Sequence, residues 1–236
     1  MRSSGRARVA PAWGIEGVYG VLAGLTALGF FALFWIPERA EASRPTDEEA
    51  SPQKTHLIWI GLAALAIYMM SVNGFSSYSE RFGEHFGLSG GLIAGAHSLG
   101  VLLSAAGSAF VAVVGDHWGR VRPLLISLGV VLVGYSILLG RQTEDLFVLA
   151  VCIINVSFGM TTAYAFATVS AVDSSGRYTG LMTAASGVGT AIAVMLLGRI
   201  ITGHGYAAFT WALIIISTTA AALMVFVAQR APARRD

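Results

Sequence analysis

The stretch "GDHWGRVRP", residues 115–123, stands between two segments built almost wholly from Val, Leu, Ile, Ala, Gly and Ser. Asp116, His117, Arg120 and Arg122 are gathered there with Gly115, Gly119 and Pro123. What this cluster does depends on the solvent around its flanks. The chain has 236 residues, 55% hydrophobic and only 12% charged, with a mean hydropathy of +0.69. Water-facing domains carry about 25% charged residues, so this chain has too few to cover a soluble surface. It reads as an all-α protein of the membrane.

A hydrocarbon core about 30 Å thick needs ~20 apolar residues as helix. Seven runs meet that length, at about 14–36, 56–76, 90–114, 122–140, 146–170, 179–201 and 205–228. The joints between them are short, except for "PERAEASRPTDEEASPQK" at 37–54, which is charged and rich in Pro and Ser. The organisation expected is an N-terminal segment and leading helix over 1–36, a linker over 37–55, a six-helix bundle over 56–229 and a tail over 230–236. An A-x-A at Ala40–Ala42 also fits a cleaved secretory leader. The first apolar run exceeds the 7–15 residues of a signal core, which favours a retained helix.

Lys and Arg divide unevenly among the joints. Arg39, Arg44, Lys54, Arg120, Arg122, Arg177, Arg230, Arg234 and Arg235 fall on one side. Arg81, Arg141 and Arg199 fall on the other, together with Arg2, Arg6 and Arg8 at the start. The positive-inside rule makes the first side cytoplasmic, with the C-terminus inside a cell (inner) membrane, although the three N-terminal arginines run against it. Trp35 and Trp59 then lie at the inner interface, where indoles are enriched.

On this topology "GDHWGRVRP" is a tight cytoplasmic turn between antiparallel helices. Glycines let backbones approach, Asp116 accepts hydrogen bonds near the start of the next helix, and Pro123 suits that helix's first turn. Arg120 and Arg122 anchor the turn at the inner face and can pair with Asp116. A plain positive-inside turn accounts for the same residues.

The segment resembles the loop motif of the major facilitator superfamily, roughly G-x-x-x-D-R-x-G-R-R, with Asp116, Gly119 and Arg120 matching and Arg122-Pro123 similar to its basic-Pro ending. His117 and Val121 stand where that family usually has basic residues. A second D-x-x-G-R, at Asp173, Gly176 and Arg177, resembles the corresponding loop of the family's C-terminal half. The resemblance implies a gate role for Gly115, Asp116, Gly119, Arg120, Arg122, Asp173, Gly176 and Arg177. It further implies a half-transporter with a 3+3 helical repeat, since full members carry two six-helix halves with the substrate between them. The leading helix and linker resemble the sixth helix and central loop, so the chain reads as a truncated or split transporter.

Polar groups inside spans are costly and are functional candidates by default. His97, Asn73, Tyr68, Asn155 and Tyr164 are the candidates for a substrate or proton path, and cross-helix hydrogen bonding is the plainer role for each. Glu80, Arg81, Glu84 and His85 read as a solvated outer face or a periplasmic gate. Neither a nucleotide-binding loop nor a catalytic or metal-binding motif is found in the sequence, so no enzyme, cofactor or metal is expected. The lone Cys152 excludes a disulfide framework. Net charge +2 without a basic aromatic stripe speaks against nucleic acid.

The partners expected are the bilayer, a small solute whose transport is coupled to protons, and either an N-terminal half or a second copy. Two competing readings are a seven-helix receptor and a non-transporting membrane scaffold. A retinal protein would need a Schiff-base lysine in its last helix, and the only lysine is Lys54 in the linker.

Overall fold

The computed structural model describes residues 24, 27, 52–114, 121–173 and 178–230. The chain divides into two units, Met1–Asp47 and Glu48–Asp236. In the first, Gly24 and Ala27 are described, both helical and exposed, so the expected leading helix and most of the linker lie outside the described residues.

In the second unit the elements are α1 (Pro52–His85), α2 (Gly90–Val114), α3 (Val121–Ile137), α4 (Glu144–Val172) and α5 (Thr179–Arg230). Four of them, α1, α2, α4 and α5, are long and apolar enough to cross a membrane, and α3 is a shorter apolar helix. At 52 residues, α5 would run about 78 Å, more than twice a bilayer core. It is broken at Gly205, whose φ of 78° and ψ of −176° are non-helical. Glycine is the residue that takes such a backbone without strain. The break falls where the last two apolar runs were separated, and it leaves arms at 179–204 and 206–230.

Helix directions follow from the contacts. On α1, Ala66 meets Gly189, Gly74 meets Ala193 and Leu197, and Tyr78 meets Gly198, so α1 runs parallel to the first arm of α5. Along the second arm the order reverses: Gly61 lies by Val227, Ser71 bonds Ser217 and Phe82 faces Phe209. The two arms are therefore antiparallel, and α1 packs against both. Elsewhere α2 runs parallel to α4, with Gly100 against Asn155 and Ser104 against Gly159. These close approaches need glycine, because a Cβ on Gly159 or Gly189 would overlap the backbone carbonyl of Ser104 or Ala66.

Local chemistry sets the helix ends. Thr143 caps α4 by accepting from the Leu146 N–H, with Glu144 and Asp145 in the positive first turn. Ser89 accepts from Leu92 N at 3.3 Å at the start of α2. Pro123 stands in the first turn of α3, where its missing N–H removes no helical bond.

The sequence ended the second apolar run near residue 76, but α1 continues to His85. It stops at Gly87 (φ 80°), where Leu88 N donates to Gly83 O at 3.0 Å and Gly87 N to Glu84 O at 2.9 Å. This Schellman-type stop is set by glycine, not by hydropathy. Glu80, Arg81, Glu84 and His85 are exposed on that extension, while Phe82 is buried among Phe86, Phe147, Tyr206 and Phe209.

Candidate functional site

The five polar candidates enter separate contacts. His97, half-buried on α2, pairs its Nε2 with Ser79 Oγ of α1 at 2.6 Å and lies beside the Phe75 ring. Asn73 Nδ2 of α1 donates to Thr190 Oγ1 of α5 at 2.7 Å, and Thr190 Oγ1 in turn donates to Ser186 O. Asn155 Nδ2 donates to Val151 O at 2.8 Å, one turn back on its own helix, and its amide fills the space above Gly100. Tyr68 is fully buried, with its hydroxyl facing Ser157 and Thr161 of α4. Tyr164 is buried on α4, and its carbonyl accepts from Thr168 Oγ1 at 2.7 Å.

A second polar group was not legible in the sequence. Ser71 Oγ donates to Tyr135 Oη at 2.9 Å and lies 2.6 Å from Ser217 Oγ, tying α1, α3 and α5 together in a fully buried spot. Ser157 Oγ donates to the Ser127 carbonyl, joining α4 to α3. The isolated Tyr135 in "VVLVGYSILL" is the sequence signal that existed. Serines in apolar helices carry none, because most bond their own preceding turn.

Burial is strongly uneven. Over its most apolar window α1 is 56% buried and α2 only 11%. Leu99, Leu102, Phe110 and Val113 of α2, with Val188, Ile192 and Met195 of α5, are exposed. On α1, Ser76 and Ser77 are exposed and Asn73 is half-exposed, so a polar stripe runs along that helix mid-span. The Asn73–Thr190 pair is part-buried between α1 and the first arm of α5, on a different side of α5 from Val188, Ile192 and Met195.

Of the turn residues, Gly115, Asp116, Gly119, Arg120, Gly176 and Arg177 lie outside the described residues, while Arg122 stands in the first turn of α3. Asp173 is buried and caps α4. Its backbone N–H donates to Val169 O, and its Oδ2 accepts from the Tyr178 N–H at 2.8 Å. One carboxylate thus clamps the end of α4 to the entry of α5, and Tyr178 in turn packs edge-on against Trp59. Because α2 and α4 are parallel, both D-x-x-G-R copies follow helices that finish at the same end of the bundle. Asp173→Ala is expected to lower stability by about 1–2 kcal/mol, and Asp173→Asn, which keeps an acceptor, by less. Thermal unfolding in detergent checks this; equal melting of all three proteins would show the clamp to be idle.

No curated protein and no solved structure matches the chain. The family model described as Major Facilitator Superfamily matches residues 8–193, from the N-terminal segment into the first arm of α5. With an all-helical bundle of membrane-crossing length and a match spanning most of its residues, the chain belongs to the major facilitator superfamily of transporters.

Proposed function

We propose that the chain acts as one half of a secondary transporter for a small solute, working by alternating access. The observation that carries the reading is the family match over residues 8–193. Exposed residues on α1, α2 and α5 support the half-transporter form. In such transporters the solute sits near the midplane between two pseudo-symmetric bundles. Here Ser76 and Ser77 of α1 are exposed, and so are Leu102 and Val113 of α2 and Ile192 and Met195 of α5. Polar groups facing hydrocarbon favour association, since a partner can satisfy them. The partner proposed is an N-terminal bundle or a second copy of this chain. His97 and Asn73 are the residues proposed to meet solute or proton, as part-buried ionisable and amide groups within the spans.

The test is the mass of the full chain in mild detergent, followed by proteoliposome uptake with and without a co-expressed N-terminal bundle. A panel of labelled sugars, amino acids and organic anions, with a pH-sensitive dye inside, serves as probe. The expected result is a particle of at least two bundles, and uptake only in that form. A monodisperse 24.7 kDa monomer that moves a solute unaided would overturn the half-transporter reading.

A further inference from the structure

At the end of the bundle that carries the α1–α2 turn, a groove of about 570 Å³ opens between α1 and the first arm of α5. Tyr78 and Arg81 reach it from α1, three residues apart and so on one helical face. From α5 come Met195, Gly198, Arg199 and Thr202, which share the opposing face. Among the described lining residues none is acidic. Both arginines are exposed, and the described residues include no ion pair or hydrogen-bond partner for either guanidinium. Glu80 and Glu84 stand on the same helix as Arg81 and are exposed as well, yet neither closes a bridge to it.

The neighbouring hydroxyls are already committed. Tyr78 Oη donates to Val194 O at 2.6 Å and lies directly over Gly198, where a Cβ would displace it. Thr202 Oγ1 donates to Gly198 O at 2.9 Å. The donors left for a ligand are therefore the two guanidinium forks, set above an otherwise small and apolar floor. Planar guanidinium groups match carboxylate and phosphate oxygens in paired hydrogen bonds. The groove also lies near two helix ends, about one turn before the stop of α1 and shortly before the break at Gly205, which is the depth of lipid headgroups.

We propose that Arg81 and Arg199 together bind the phosphate or carboxylate head of an anionic amphiphile, whose apolar body lies along Val194 and Met195. This site lies on the same two helices, about one to two turns beyond the Asn73–Thr190 pair towards the α1–α2 turn, and does not depend on transport. The shared chemistry has two sources, a bilayer lipid or a dissolved amphiphile, and the experiment separates them.

The full chain in neutral detergent is exposed to phosphatidylglycerol, to phosphatidylcholine of the same chain length, and to a short-chain alkyl phosphate, with retention read by native mass spectrometry. Phosphatidylglycerol retained over phosphatidylcholine assigns the site to lipid; retention of the alkyl phosphate alone assigns it to a dissolved ligand. In either case Arg81→Gln/Arg199→Gln is expected to weaken retention about tenfold or more, while Arg141→Gln, off the groove, leaves it unchanged. As a second measurement, Thr202→Cys in a Cys152→Ser background should react more slowly with a maleimide when the anion is bound. Retention that survives the double substitution, no preference for any anion, or a labelling rate unmoved by ligand would each overturn the proposal.

Discussion

Gly159→Leu is expected to separate α2 from α4 and to leave little folded protein. The reason is geometric. A Cβ at residue 159 would overlap the Ser104 carbonyl, and backbone cannot yield as a flexible side chain can. Gly107, on the same seam, would place a Cβ 2.6 Å from Val156 O, so the helices have no free direction in which to slide. Overpacking a tight contact costs about 1–3 kcal/mol, and more where the obstacle is rigid. In a membrane this loss is not offset by apolar burial, because lipid solvates a leucine as well as a neighbouring helix does. The matched control is Gly95→Leu, on an exposed part of α2 with nothing within 4 Å, for which a change within about 0.5 kcal/mol is expected. Fluorescence-detected size exclusion after a heating series measures both. If Gly159→Leu melted with the parent, the close α2–α4 contact would be wrong.

Phe82→Ala is expected to cost about 3 kcal/mol or more. Phe82 is 1% exposed and touches rings from three directions: Phe147 of α4, Tyr206 and Phe209 of α5, and Phe86 in the turn after α1. Truncation leaves a cavity whose lining loses its contacts, the usual origin of losses of about 3–5 kcal/mol for buried phenylalanine. The effect should also be directional. His85 lies tilted against Tyr206 with centroids 4.5 Å apart, and that pair should loosen, whereas the Ser71–Tyr135–Ser217 group, about three turns back at Ser71 of α1, should hold. Cysteine accessibility at residues 86–89 is therefore expected to rise in the variant, and Phe82→Leu, which keeps most of the volume, should recover much of the stability. A variant that melts normally, with an unchanged turn, would contradict the role assigned to this ring.

Residues 78–91 show why hydropathy and structure part company. "YSERFGEHFGLSGG" reads as a polar joint outside the membrane, and its charged members are indeed exposed. Hydropathy reports what the solvent tolerates, whereas a helix stops where its backbone is capped. So α1 runs on past the apolar run to Gly87 and delivers Phe82 into an aromatic core that lies beyond the apolar window.

The sequence by itself determined the class of solvent and the all-helical character. Those properties are local, a matter of charged fraction and of apolar length against bilayer thickness. The family was legible in the resemblance of Asp116, Gly119 and Arg120, and of Asp173, Gly176 and Arg177, to its loop motif. Only the tertiary structure decided which helices run parallel, which polar groups meet, and which face stays open. His97 to Ser79, Asn73 to Thr190 and Ser71 to Tyr135 are pairings between different helices. In a bilayer the apolar residues that dominate these helices gain little by touching one another rather than lipid. Partner choice therefore rests on single glycines and hydroxyls, whose one-dimensional spacing carries no record of what stands across from them.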